Sequence, residues 1–198
     1  MARPQSVQDT VVMASLSCVF RDVGYEAASL TMLAEATGLQ KASLYHRFPG
    51  GKQQMAEEVL ASALAWYETN VLAPLRSEDP PAVRVAQIVK HLDGFYSGGK
   101  QACLLNMLAS PRAELGPFSA TIKGAFEALV LAFAGLARDA GHDAKAAQLR
   151  AERAVMLLQG SLVMSRGLGT SKPFKTFLAG LADDLIGETA ASPSPSRR

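Results

Sequence analysis

Apolar residues recur at the spacing of an α-helix along almost the whole chain. Val12, Leu16, Val19 and Phe20 stand at i, i+4, i+7 and i+8, so they share one face of a helix. The same period returns in each later segment between glycines and prolines. No segment alternates apolar and polar residues as a half-buried strand does. The pattern therefore predicts an all-α fold.

Glycines and prolines divide this pattern into about nine helices with short loops. The first helix ends at Gly24 and the second lies between Ser29, a plausible N-cap, and Gly38. The remaining predicted helices are Lys41–His46, Lys52–Asn70 (stopping before Pro74), Pro80–Gly98, Cys103–Leu108, a stripe from Ile122 that ends at Gly141, Ala144–Arg166 and Lys172–Leu185.

Short helices come first and long ones follow, which predicts two domains. A small module occupies residues 1–50, and a larger helical body occupies residues 51–187. The Ser-, Pro- and Arg-rich stretch at 188–198 is predicted to be a disordered tail. With 198 residues, of which 48% are hydrophobic and 19% charged, the composition is globular.

Several classes of protein are excluded by composition. Cys18 and Cys103 are too few for a disulfide framework. The start of the chain is polar where a signal peptide would have an apolar core. The chain has no unbroken apolar run of ~18 residues, as a transmembrane helix would need. We therefore expect a cytoplasmic protein with no membrane partner, and the net charge of +2 implies no partner by itself.

Two short predicted helices flank Gly38-Leu39-Gln40, which is the arrangement of a helix-turn-helix. The stretch from Lys41 to Met55 contains three basic residues and no acid, so its local charge suits a phosphate backbone. The expected core residues of this unit are Leu30, Leu33, Leu39, Leu44 and Phe48. The spacing alone is also consistent with an ordinary helix pair that has a solvated basic face.

The candidate DNA contacts divide into side chains that read bases and side chains that bind phosphates. A recognition helix presents its first turn to base edges in the major groove. The base-reading candidates are Gln40 for adenine, Lys41 for guanine, Ala42 for a thymine methyl and Ser43 for either kind of base. The phosphate-binding candidates are Thr31, Tyr45, His46 and Lys52.

Residues Phe20–Leu30 and Leu33–Phe48 resemble the DNA-binding signature of the TetR family of repressors. The resemblance includes Gly24-Tyr25, the Ala-x-x-x-Gly-Leu turn and Leu-Tyr-His-x-Phe. The junction Phe-Pro-Gly-Gly-Lys that follows is similar to a subgroup of drug-resistance repressors, although this chain has one glycine more before Lys52. Gln40 stands where the family usually has serine or threonine, so it can read a base and give an operator preference of its own.

The resemblance implies a three-helix DNA-binding module and a larger domain for ligand binding and dimerisation. The expected protein is a homodimeric repressor that a small apolar or aromatic molecule releases from a palindromic operator on double-stranded DNA. Activation instead of repression stays open.

Residues 151–166 carry one apolar stripe on which Ala151 and Leu158 lie, and Met156 and Val163 near Gly160 indicate a second. The predicted dimer residues are Val155, Leu158, Leu162, Phe174, Phe177 and Leu181.

The ligand pocket is predicted from large apolar side chains spread over several helices of the body. Pockets of this kind are mostly apolar and have a few polar anchors. Each residue considered alone is as consistent with plain core packing. The candidates are Trp66, Phe95, Met107, Phe126, Phe133, Met156 and, as the polar anchor, Gln159.

No motif of an enzyme, a metal site or a cofactor site occurs in the sequence. His46, His91 and His142 are far apart, and no His-Glu-x-x-His, Cys-x-x-Cys, Gly-x-Ser-x-Gly or phosphate-binding loop is present. We therefore predict neither catalysis nor a cofactor, and expect His91 at the surface. A redox-sensing regulator that uses Cys18 or Cys103 is the third possibility, although buried cysteines usually behave as small hydrophobes.

Overall fold

Ten α-helical segments make up the regular structure in the described part of the chain. The computed structural model describes the backbone of residues 5–110 and 116–187 and the side chains of these residues from residue 9 onward. The predicted disordered tail at 188–198 lies outside the described residues. Within them the segments are α1 (Gln5–Ala27), α2 (Leu30–Thr37), α3 (Lys41–Arg47), α4 (Gly51–Tyr67), α5 (Ala73–Leu75), α6 (Pro81–Phe95), α7 (Leu104–Leu108), α8 (Ser119–Asp139), α9 (Ala144–Leu168) and α10 (Lys172–Ile186).

Local capping sets the boundaries of the first helices, as the sequence predicted. The Ser29 hydroxyl accepts a hydrogen bond from the Met32 backbone N–H at 3.2 Å and caps α2. Gly38 ends α2 at a φ of 67°, and its N–H and that of Leu39 bond back to Glu35 and Ala34. This left-handed cap suits glycine because a Cβ would be strained there.

Gly24 interrupts α1, because its φ of 77° and ψ of 177° are not helical. A Cβ on Gly24 would lie 3.0 Å from the Met107 carbonyl oxygen. Glycine is therefore needed at this position for two reasons. Only glycine adopts this region of φ and ψ without strain, and only glycine lets α1 approach the backbone of α7 this closely.

The core of α1–α4 is completed by side chains of the C-terminal body. Leu16, Phe20 and Phe48 are fully buried there. The same cluster contains Leu104 and Leu108 of α7, together with Phe118 and Ile122 at the start of α8. Of the predicted helix-turn-helix core, Leu33, Leu44 and Phe48 are buried, whereas Leu30 and Leu39 are half-buried at its edge.

The helix predicted to stop before Pro74 continues through it. A π-helical stretch, Glu68–Leu72, joins α4 to α5, so the chain stays helical as far as Leu75. Pro74 has no N–H to donate to the Asn70 carbonyl four residues earlier. That carbonyl accepts a hydrogen bond from His91 Nδ1 of α6 at 2.5 Å instead. The Nδ1 atom must carry the proton, because a carbonyl oxygen only accepts.

His91 is therefore half-buried between α4 and α6, and its prediction as a surface residue was wrong. Counting the continuous helix from α4 to α5 as one, the described residues form nine separate helices, the number that the sequence predicted. The other predicted helices agree with the structure to within a few residues at their ends.

Four long helices form the second core. α8, α9 and α10 pack against one another, and α6 packs on α10 and α8. Phe133, Leu158, Phe174 and Leu181 are fully buried at their centre. By length and composition α8 also passes as a membrane-crossing helix. Its apolar character is accounted for here by the stripe that it buries in this core.

A double-mutant cycle tests the link between Pro74 and His91. We expect His91→Phe to lower the free energy of unfolding by about 1–3 kcal/mol, the usual penalty for a half-buried carbonyl that loses its donor. In a Pro74→Ala background, the backbone N–H that this substitution restores can bond to the Asn70 carbonyl. The same His91→Phe change should then cost clearly less. Urea unfolding of the four proteins measures the difference, and an equal cost in both backgrounds would contradict the link.

Candidate nucleic-acid interface and ligand cavity

The short helix α3 is held by its buried side and presents its other side to solvent. Leu44 is 1% exposed and Phe48, directly after the helix, is fully buried. Lys41, Ala42 and Tyr45 lie on the opposite side at i, i+1 and i+4 and are exposed. The structure leaves seven of the eight predicted DNA contacts exposed: Thr31, Gln40, Lys41, Ala42, Ser43, Tyr45 and His46.

Gln40 occupies the N-cap position of α3 without capping it. Its side chain makes no capping hydrogen bond, and its backbone is extended, with φ of −68° and ψ of 150°. The first turn of α3 also contains no acidic residue. Because Gln40 is exposed, its side-chain amide is available to a partner outside the chain.

Arg47, by contrast, is occupied within the chain. Its guanidinium lies 3.5 Å from the Asp9 carboxylate of α1 and 3.9 Å from that of Glu58 in α4. It also stacks 4.8 Å above the Phe48 ring. Arg47 therefore fastens α3 to α1 and α4, and Lys41 is left as the exposed formal cation of α3.

Lys52 is half-buried and tied to the end of α1. Its Nζ donates to the Tyr25 carbonyl at 2.8 Å and to the Glu26 carbonyl at 3.4 Å. The ammonium also lies 4.5 Å from the centre of the Tyr25 ring. A lysine has three N–H donors, so one is left for a phosphate. The predicted phosphate contact of Lys52 stays a prediction, and the structure adds a second role, the connection of α4 to α1.

A cavity of about 200 Å³ lies in the C-terminal body between α4, α6, α7, α8 and α9. Its wall is mostly aliphatic and aromatic, which favours an apolar occupant. The lining residues are Leu60, Ala63, Leu64, Tyr67, Glu68, Leu72, Phe95, Tyr96, Cys103, Leu104, Leu105, Ala125, Ala128, Leu129 and Gln159.

Five polar side chains interrupt this apolar wall, and one of them, Glu68, is paired with Arg76 at 2.7 Å. The hydroxyls of Tyr67 and Tyr96 are 2.6 Å apart, and the Tyr96 hydroxyl donates to the Cys103 sulfur at 3.6 Å. The Oε1 atom of Gln159 is buried and has no hydrogen-bond partner among the described residues. Buried acceptors are normally paired, so the Gln159 carbonyl is the feature of the cavity that a bound molecule would satisfy.

The seven predicted pocket residues separate into different environments. Phe95 and Gln159 line the cavity, and Trp66 stacks behind Phe95 with the ring centres 4.3 Å apart. Phe133 is fully buried in the core, and Phe126 is partly buried between the two clusters. Met107 and Met156 lie outside the cavity. Met107 receives a hydrogen bond on its sulfur from Arg166, and Met156 is 64% exposed.

The seven predicted pocket residues do not include Tyr67, Tyr96 and Cys103, whose hydroxyls and sulfur line the cavity. Tyr67 and Tyr96 each follow a predicted pocket residue directly. Helical phase within one segment did not show which of two neighbouring aromatic residues turns inward. Cys103 was interpreted as a small core residue; it is buried, as expected, and its sulfur also borders the cavity.

The predicted dimer residues require a correction, because they face the interior of the single chain. The least buried of them is still only 7% exposed, since they fill the core between α6, α8, α9 and α10. These residues are Val155, Leu158, Leu162, Phe174, Phe177 and Leu181. The second stripe of α9 is the exposed one. Its exposed members are Leu149, Met156, Gly160, Val163, Met164 and Gly167.

Comparison with known proteins identifies the N-terminal part of this chain. Residues 18–59 match the sequence model described as "Bacterial regulatory proteins, tetR family". The HTH-type transcriptional regulator LmrA of Bacillus subtilis is 26% identical over 86 residues, which cover 43% of this chain and 46% of LmrA. The HTH-type transcriptional repressor KstR2 of Mycolicibacterium smegmatis is 35% identical over 65 residues, 33% of this chain and 31% of KstR2. The matches thus span less than half the length of either relative.

The fold as a whole is that of solved TetR regulators. A TetR transcriptional regulator from Legionella pneumophila superposes with a TM-score of 0.72. The alignment covers 93% of this chain and 98% of that one at 19% identity. The N-terminal helix-turn-helix and C-terminal helical body that the sequence predicted are confirmed by this match.

Alkaline titration tests the buried phenols of the cavity. Burial raises the pKa of Tyr67 and Tyr96 above the ordinary value of 10.0, and the nearby Cys103 raises both further. Above pH 10 the unfolded chain therefore loses these protons while the folded chain keeps them. The stability that these two phenols contribute is fully present below that pH and is lost as the pH rises beyond it. We expect urea midpoints to fall above a pH of about 10, with a smaller fall in Tyr67→Phe and Tyr96→Phe. Equal slopes in all three proteins would contradict the assignment.

Proposed function

We propose that this chain, whose residues 18–59 match the tetR family of bacterial regulatory proteins, is a cytoplasmic transcriptional repressor. It binds a palindromic operator as a homodimer and leaves it when a small apolar molecule binds. The exposed side of α3, held in place by Leu44 and Phe48, carries this proposal. The two curated relatives are themselves named as a transcriptional regulator and a transcriptional repressor.

The contacts with DNA follow from which side chains α3 exposes. Lys41 reads guanine and Gln40 reads adenine at the start of the helix. Ala42 and Ser43 contact neighbouring bases, and Tyr45, with the remaining N–H of Lys52, binds phosphates. Arg47 does not take part, since Asp9 and Glu58 already hold its charge.

The ligand acts through α4. This helix begins four residues after α3 ends, and it is tied to α1 by Lys52. Its far end carries Leu64 and Tyr67 in the cavity wall. A molecule that fills the cavity and donates a hydrogen bond to Gln159 favours a position of α4 that suits it. It shifts the population away from the DNA-bound form by no more than its difference in affinity for the two forms.

The dimer forms through the exposed stripe of α9. Leu149, Met156, Gly160, Val163 and Gly167 are separated by seven, four, three and four residues, so they lie on one face of the helix. The two glycines allow a partner helix to approach closely. A two-fold axis at this face sets two copies of α3 about one DNA turn, or a multiple of it, apart.

Operator binding tests the function directly. Purified protein is titrated against DNA from its own upstream region and against a scrambled duplex at about 150 mM salt, with a specificity ratio of about 10³ or more expected. Lys41→Ala should cost about 1–3 kcal/mol and relax the preference at one position of each half-site. Lys145→Ala removes an exposed lysine of α9, remote from α3 in the chain, and should change nothing.

Two outcomes would revise the proposal. If Lys41→Ala weakens binding to all sequences equally, Lys41 contacts a phosphate and does not read a base. If the protein shows no preference for its upstream region, a selection from genomic fragments decides. A failure to enrich any sequence there would reject sequence-specific DNA binding.

Substitutions on α9 test the dimer surface. We expect the double variant Met156→Glu/Met164→Glu to sediment as a monomer, because two buried carboxylates per copy would face an apolar partner surface. Val83→Glu places one such carboxylate on an exposed apolar residue of α6 and should leave the dimer intact. Circular dichroism confirms that each variant is folded. A variant that stays dimeric with both glutamates would place the interface elsewhere.

A further inference from the structure

Arg21 is a buried cation at the boundary between α1 and the C-terminal body. Only 6% of its surface is exposed. Its Nη1 donates to the Ala102 carbonyl at 2.5 Å and its Nε to the Ser17 hydroxyl at 3.3 Å. The guanidinium carbon lies 4.7 Å from the centre of the Phe95 ring. All of these partners are neutral, and Nη2 makes no hydrogen bond to a residue that the structure describes.

The other buried arginine of the described chain, Arg84, has the acidic partner that Arg21 lacks. Arg84 is 3% exposed, and its Nη1 pairs with the Asp139 carboxylate at 2.9 Å in addition to the Leu75 carbonyl. Buried charges in proteins are normally paired with an opposite charge. Within the described residues, Arg21 has no carboxylate within 4.0 Å. Within the part of the chain that the structure describes, its charge is therefore unpaired.

An open groove of about 400 Å³ leads to Arg21. It runs between α1 and α4 and reaches α6, and it is separate from the cavity described above except for Ala63 and Phe95, which border both. One wall is the stacked pair of Trp66 and Phe95. Ser17 and Ser62 add hydroxyls. Asp9 also borders the groove, but its carboxylate is paired with Arg47, so the unpaired charge in the groove is positive.

We propose that this groove is a second binding site, for a small aromatic carboxylate. The carboxylate accepts a hydrogen bond from Arg21 Nη2, and the ring packs against Trp66. A guanidinium presents its N–H groups in the plane that a carboxylate matches, and burial of the pair excludes the water that would screen it. The groove is distinct from the cavity, because it lies between α1 and α4 and does not include Gln159, and binding there can be measured without DNA.

Benzoate and benzamide form a matched pair of probes, alike in shape and different in charge. Calorimetry of the full chain without DNA gives both affinities. We expect benzoate to bind at least about tenfold more tightly than benzamide, a difference of about 1.4 kcal/mol. Trp66 is the only tryptophan in the sequence, so its fluorescence locates the event. It should change on benzoate binding with the same midpoint that calorimetry gives.

Two variants separate this groove from the cavity. Arg21→Gln keeps a donor for the Ala102 carbonyl but removes the charge, and should lower the benzoate affinity to that of benzamide. Gln159→Met alters only the cavity and should leave benzoate binding unchanged. Arg21→Lys keeps the charge and stands in if Arg21→Gln does not fold. The lysine lacks the planar pair of donors, so its affinity should fall between those of wild type and benzamide.

The proposal that benzoate binds in this groove can be contradicted in two ways. Equal affinities for benzoate and benzamide, or no saturation of benzoate binding by about 10 mM, would show that the charge of Arg21 attracts no carboxylate. Loss of benzoate binding in Gln159→Met would place the molecule in the cavity instead. Neither result would affect the proposed operator binding, which the DNA titration tests separately.

Discussion

The three N-terminal helices cannot close their hydrophobic core by themselves. Phe20, Leu33 and Phe48 share one cluster with Leu104 and Leu108 of α7 and with the start of α8. Burying each such side chain contributes about 1.5–3 kcal/mol, so separating the two parts would expose a large part of the core. The orientation of α3 is therefore fixed by the C-terminal body as much as by its own turn. A movement of α4 or α7 necessarily reaches the DNA-binding surface.

The helices and their order followed from the sequence because glycine, proline and capping residues act locally. Ser29 begins α2 and Gly38 ends it through hydrogen bonds to residues only a few positions away. Pro74 misled the prediction for the opposite reason. What replaces its missing N–H is a histidine of another helix, and no local pattern reveals a donor that only tertiary packing supplies.

The candidate sites could be predicted only in part, because the sequence does not show in which direction each side chain points. The motif around Lys41 identified the exposed residues of α3 correctly as a group, since the buried Leu44 and Phe48 fix the phase of a seven-residue helix. On α9 the two apolar stripes were visible, but nothing in the sequence decided which one the chain buries itself. Lys52 was predicted to bind a phosphate and Arg47 was counted in the basic stretch from Lys41 to Met55, and both are bonded to acceptors that are far away in the sequence.

The bond between His91 and the Asn70 carbonyl has a consequence for the history of this chain. A histidine at 91 is useful there only while position 74 provides no N–H, and a proline at 74 is tolerated only while some donor reaches that carbonyl. Neither residue is easily replaced first, since a proline that arose before the donor would leave a carbonyl unpaired. The two positions should therefore have changed in a fixed order, donor before proline. Among descendants of one ancestor they should vary together, although they belong to different helices.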